Sequence, residues 1–143
     1  MPLVPGMNPK AEALQKRTHT FFIDVIALCG ELGTSDAVTT IRAQLLDSSG
    51  ATDSNYRAAC RARSRREFIA KIGVAIEEAD ESLGWLESLR DSNLGPKEKL
   101  EPLIKEADEL TAIFVQSRKT AEANEKKTQE AKKAAQRRTR RRP

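Results

Sequence analysis

Leu14, Thr18, Phe21, Val25, Leu28 and Leu32 recur at alternating steps of four and three. That spacing lines side chains along one face of a helix, and Phe22, Ile26 and Cys29 widen the face. A helix is therefore expected from about Lys10 to Leu32, ended by Gly33. Thr34, Ser35 and Asp36 then offer an N-cap to a second segment reaching about Arg61. Its apolar positions are Val38, Ile41 and Leu45, after which the same face turns small, through Ser48, Thr52, Asn55 and Ala59. Such residues have weak helix propensity, so close approach of a neighbouring helix is the reason to expect a helix there.

The third start is the clearest. Ser64 followed by Glu67 has the form of a capping box. Phe68, Ile72, Ala75, Ala79, Ser82, Leu86 and Leu89 then hold a heptad stripe, flanked by Ile69, Ile76 and Leu83. Asn93 to Gly95 ends the segment and Pro96 prevents direct continuation. In the fourth segment Leu100, Leu103, Ala107, Leu110, Phe114 and Ser117 form the stripe, with Ile104 and Ile113 beside it. Pro102 is most comfortable in a first turn, which places the regular helix start near Lys99. Four amphipathic helices joined by short breaks describe an all-α, antiparallel up-down four-helix bundle with shallow, coiled-coil-like crossings. The domain reading is a flexible segment at 1–9, the bundle at 10–117 and a basic C-terminal tail at 118–143. The tail has alanines and charges that favour helix, but no apolar stripe, so fraying or disorder is expected there.

Composition agrees with helices. Aromatics are 4% of the 143 residues and hydrophobics 38%, which leaves Leu, Ile, Val and Ala to build the core. No apolar run approaches the ~20 residues needed to cross a bilayer. Met1 to Lys10 carries four Pro and Gly residues and lacks the apolar stretch of a secretion signal. A cytoplasmic protein is the default expectation, and Cys29 and Cys60 then read as reduced, core-type thiols.

Charge changes the picture. Residues 1–117 hold 14 Lys/Arg against 18 Asp/Glu, a net of −4, whereas 118–143 hold 11 against 3, a net of +8. Within the acidic body, Arg57, Arg61, Arg63, Arg65, Arg66 and Lys71 form one cluster astride the second turn, opposed only by Glu67. Arg65 and Arg66 in a helix's first turn have the wrong sign for its dipole, so they either recruit an anion or pair with an acidic stretch nearby. The second cluster is Arg137, Arg138, Arg140, Arg141 and Arg142. Consecutive arginines supply the sequence-blind phosphate attraction of a nucleic-acid arm, or serve only to solubilise.

Chemistry is otherwise sparse. His19 is the single histidine and no Glu precedes it by three, so the Glu-x-x-His pairs of a di-metal bundle cannot be assembled. There is no phosphate-binding glycine loop and no Cys-x-x-Cys. Glu77, Glu78, Asp80 and Glu81 read as a solvated or interface face. Catalytic residues, metal ligands and cofactors are all expected to be none, and the protein is not expected to be an enzyme.

The stretch Gln44–Leu45, Ser48–Ser49, Asn55–Tyr56–Arg57, Ser64–Arg65–Arg66–Glu67–Phe68, then Ala75, Glu78 and Glu81–Ser82, resembles the bacterial four-helix bundle family that includes proteins encoded by intervening sequences in large-subunit ribosomal RNA genes. The resemblance runs from about Leu14 to Ser117. The chain departs from the family's Asn-Ile-x-Glu-Gly run, having Asn55–Tyr56–Arg57–Ala58–Ala59 instead. The resemblance implies a ring-like homo-oligomer, a homopentamer. A related branch serves as the accessory protein of diversity-generating retroelements, which implies RNA or DNA and a reverse transcriptase as partners. The competing expectation is a protein-interaction scaffold that binds no nucleic acid.

Overall fold

The computed structural model describes residues 8–142; of the expected N-terminal segment, residues 1–7 lie outside the described residues. Four helices follow one another, α1 (Pro9–Cys29), α2 (Asp36–Cys60), α3 (Arg65–Asp91) and α4 (Lys97–Arg140). Each packs on its neighbours in sequence and α1 closes on α4, while the two diagonal pairs make no backbone approach. That is the up-down four-helix bundle, and no strand occurs among the described residues. The seams are unequal: α2 with α3 and α3 with α4 are extensive, and α1 with α4 is the thinnest.

The heptad stripes form the core. Phe21, Val25 and Leu28 of α1, Leu45 of α2, Ile72, Leu86 and Leu89 of α3, and Leu100, Leu110 and Phe114 of α4 are all buried. The small-residue face of α2 has its explanation on the α2–α3 seam. Ser48, Ser49, Thr52 and Ser82 are buried, and the hydroxyls of Ser48 and Ser82 lie 2.8 Å apart across it. Both oxygens also reach their own helix, at Leu45 and Glu78 carbonyls, so no polar atom is stranded. Size rather than polarity is then what the seam demands at residue 48. Ser48→Ala should cost under about 1 kcal/mol in urea unfolding, whereas Ser48→Leu should cost about 1–3 kcal/mol by overpacking. Equal effects of the two changes would refute the close-approach account.

Helix ends depart from expectation where tertiary contacts intervene. α1 stops at Cys29 rather than Leu32, because Arg42 from α2 reaches across to it. The guanidinium donates to the Cys29 and Leu32 carbonyls, each at 3.2 Å, and to the Gly33 carbonyl. A cation on the orphan carbonyls of a C-terminus is favourable both as hydrogen bond and against the helix dipole. Ser64 caps α3 as expected, accepting from the Glu67 N–H at 3.1 Å. The reciprocal half of the box does not form among the described residues; the Glu67 carboxylate lies instead 3.8 Å from Arg63. At the far end of α3, Asn93 (φ 56°) adopts the left-handed conformation and the Leu94 N–H donates to Leu89, closing a Schellman motif. Gly95 follows at φ 146°, where a Cβ would come within 3.0 Å of Leu32.

α4 overrides two expectations. It begins at Lys97, two residues early, with Pro102 accommodated inside it. More consequentially, residues 118–140 continue the same helix, where fraying was expected. The inner stripe does not stop at Ser117 but passes through half-buried Ala121, Glu125 and Thr128. Past the bundle a helix already nucleated and packed for its first twenty residues need only propagate, which is the inexpensive step.

Candidate nucleic-acid interface

The end of α2, the start of α3, the start of α1 and the middle of α4 meet at one end of the bundle. A groove of about 1300 Å³ opens there, lined by apolar Leu14, Phe68 and Ile113 among others. Its charged lining residues are Lys10, Arg17, Arg63 and Arg65, with no carboxylate among them. Arg17 is not free for a ligand. It forms a fork on Glu106 and also reaches Glu109, joining α1 to α4 across the thin seam, and these carboxylates raise its already high pKa further.

The predicted turn cluster divides by partner. Arg57 is half-buried on the last turn of α2. Arg61 is the C-cap of α2 and exposed; Arg66 and Lys71 on α3 are exposed as well. The Arg63 side chain is 91% accessible and makes a loose, 3.8 Å approach to Glu67. Arg65 finds its anion inside the chain. Its Nη1 donates to Thr128 Oγ1 at 2.9 Å and to Glu125 Oε2 at 3.3 Å, both on α4. Gln129 donates to the other Glu125 oxygen at 3.1 Å; Gln129 and Arg65 together hold that carboxyl below the usual range.

This clasp joins the two basic clusters. The turn lies against the root of the α4 extension, and the extension leads away from it to Arg137, Arg138 and Arg140 in the last helical turns. Arg141 caps the helix, and Arg142 follows, exposed like the others. From Ala131 to Arg142 there are seven cations and no acid. The sequence reading missed the clasp, because nothing local pairs residue 65 with residue 125. The glutamate's position on the continuing heptad stripe was the available signal.

The acidic run sits elsewhere. Burial first, then Glu81, Glu77 and Asp47 of α2, push the Glu78 carboxyl above its ordinary value. These acids face one another and not the arginines, so the basic turn is not neutralised by them within the chain. His19 Nδ1 lies 2.8 Å from Asp53, linking α1 to α2 at an exposed site. Cys29 and Cys60 are free thiols, both raised in pKa by burial. Tyr56 lines the floor of the groove, buried and stacked on Phe114 with ring centroids 4.9 Å apart. Among the described residues no group of three His, Cys, Asp or Glu side chains could hold a metal ion, and no helix is long and apolar enough to cross a membrane.

Four antiparallel helices, an apolar heptad core and a basic helical extension define a helical-bundle protein whose distinguishing feature is one positively charged end. Residues 11–116 match the family described as 23S rRNA-intervening sequence protein, and the chain belongs to that family. It is similar to the crystal structure of a protein of unknown function from the S23 ribosomal protein family of Bacteroides thetaiotaomicron. The identity is 25% and the TM-score 0.70, over 77% of this chain and 98% of that one. No curated protein matches. The family match stops at residue 116, just short of the basic extension.

Proposed function

We propose that this is a non-catalytic, cytoplasmic bundle protein that binds nucleic acid through its basic end, with Arg61, Arg63, Arg66 and Lys71 at the turn and Arg137–Arg142 on the extension. The observation that supports this reading is the Arg65 clasp, which ties the basic turn to the root of the extension that carries the second cluster. A single turn of four exposed cations is a weak phosphate site. Together with the cations of the extension it makes a larger polycation, whose counterion release scales with the number of phosphates met. Self-association into a ring, as the family resemblance implies, would multiply that site by the number of copies. A reverse transcriptase is a candidate protein partner on the same ground.

A second reading, a protein-interaction scaffold, is favoured by the α3 acidic run beside the exposed Val74. The two separate on salt. Labelled RNA and DNA, titrated with the full chain across a salt series, should show affinity falling steeply with ionic strength. Affinity too weak to measure at every salt concentration would end the nucleic-acid reading and leave the scaffold. Sedimentation of the same protein gives the number of copies.

A further inference from the structure

We infer that the α4 extension is a preformed helical rod that lies in the major groove of B-form duplex DNA, its angle to the bundle set by the Arg65 clasp. This rests on the nucleic-acid reading above and names the ligand's form.

The first argument is the arrangement of charge around the helix. At about 100° per residue, Lys119, Lys126, Lys133, Arg137 and Arg140 fall within a sector of about 60° on one face. Of the acids on this segment, Glu122 lies 3.6 Å from Arg118 and Glu125 is held by Arg65, while exposed Glu130, about 20° from the stripe's edge, leaves one negative charge against five positive ones. Farther out the pattern changes. Lys132, Lys133, Arg137, Arg138, Arg140, Arg141 and Arg142 point all round the helix, and every one is exposed. Cations on one face suit a rod lying against a single phosphate row. Cations on all sides suit one with phosphates along both walls, which is what a helix in a groove meets.

The second argument is dimension. From Arg118 to Arg140 the helix rises roughly 33 Å, the length of about ten base pairs. Its small side chains, Ala123, Ala131, Ala134 and Ala135, leave it slender enough for a B-form major groove about 12 Å wide. The major groove of A-form RNA is deep and too narrow for a helix.

The third argument excludes single strands as the preferred ligand. No aromatic residue follows Phe114, so the rod offers no stacking surface for unpaired bases. A stiff rod also matches a stiff polyanion: charges spaced at seven-residue steps stay in register along a duplex but not along a flexible strand.

The test separates shape from charge. Ala131→Pro in the full chain interrupts the rod and leaves every charge in place; an Ala131→Gly/Ala135→Gly variant loosens it without a proline. Both positions are exposed and outside the bundle, so the thermal midpoint should stay at that of the unsubstituted chain. Fluorescence anisotropy is measured against a DNA duplex of about 20 base pairs, the RNA duplex of the same sequence, and the separate DNA strands. The expected result is preference for duplex DNA, weakened about tenfold by Ala131→Pro and less by the glycines. Single-strand affinity should change by no more than about twofold. Duplex binding unchanged in both variants, or RNA duplex bound as tightly as DNA, overturns the inference and leaves a shapeless polycation. Absence of salt-sensitive binding to any of the nucleic acids is a different result, which overturns the proposed function and this inference together.

Discussion

A chain ended at Ser117 should fold as the full chain does and lose at least about a hundredfold in affinity for nucleic acid at moderate salt. The buried core side chains, up to Phe114, all precede the cut, so the bundle keeps its apolar packing. What the cut removes is 11 Lys/Arg and 3 Asp/Glu, which turns a net charge of +4 into −4. Each phosphate contact contributes close to one unit of slope in log affinity against log salt. Losing roughly six to eight contacts therefore flattens the salt dependence as well as weakening binding. The truncation also leaves Arg65 without Glu125 and Thr128, freeing one cation at the turn. Some residual, shallow binding at low salt is expected from Arg61, Arg63, Arg65, Arg66 and Lys71. Anisotropy titrations of the two chains at matched salt decide it. Equal affinity and equal slope would move the site wholly to the turn and remove the extension from the function.

Phe114→Ala should be the most damaging single change to the fold, costing about 3–5 kcal/mol. The ring is fully buried and lies against Tyr56 at 4.9 Å and 17°, bridging α4 to α2 across a diagonal that the backbones do not span. Truncation removes the transfer energy of the ring and opens a cavity. It also loses the aromatic pairing, worth about 0.5–1.5 kcal/mol beyond area. Against a total stability on the order of 5–15 kcal/mol this is a large share. Urea unfolding measures it, and a loss within about 1 kcal/mol would mean the core collapses onto the site unusually well. Because every proposed contact residue lies outside the core, binding below the lowered thermal midpoint should persist. Lost binding by a protein still folded would contradict the separation of core and interface.

Periodicity carried the reading a long way for helices of this kind. The stripes through Val25, Leu45, Ile72 and Leu110 are core in the structure, because a heptad of apolar side chains has only one face to bury. Where a helix ended was legible only if the cap was local. Ser64 and Asn93 lie within a few residues of the groups they satisfy. Arg42 does not, since it caps α1 from the next helix, and the break at Cys29 was correspondingly misplaced. Ile26 shows the same limit from the other side, being 44% exposed although it was expected to widen the stripe. No neighbouring helix reaches that far round α1.

The charge asymmetry and the four amphipathic stripes were properties of the chain by itself, because composition and short-range periodicity need no partner. The tertiary structure decided which arginines have answers inside the molecule. Arg17 meets Glu106 and Arg65 meets Glu125 only because antiparallel packing brings positions 89 and 60 residues apart side by side. It decided equally that the basic tail is a helix rooted beside the basic turn. A lone segment of that composition is marginal in water. Extended from a packed helix and tied at Glu125, it becomes part of the fold.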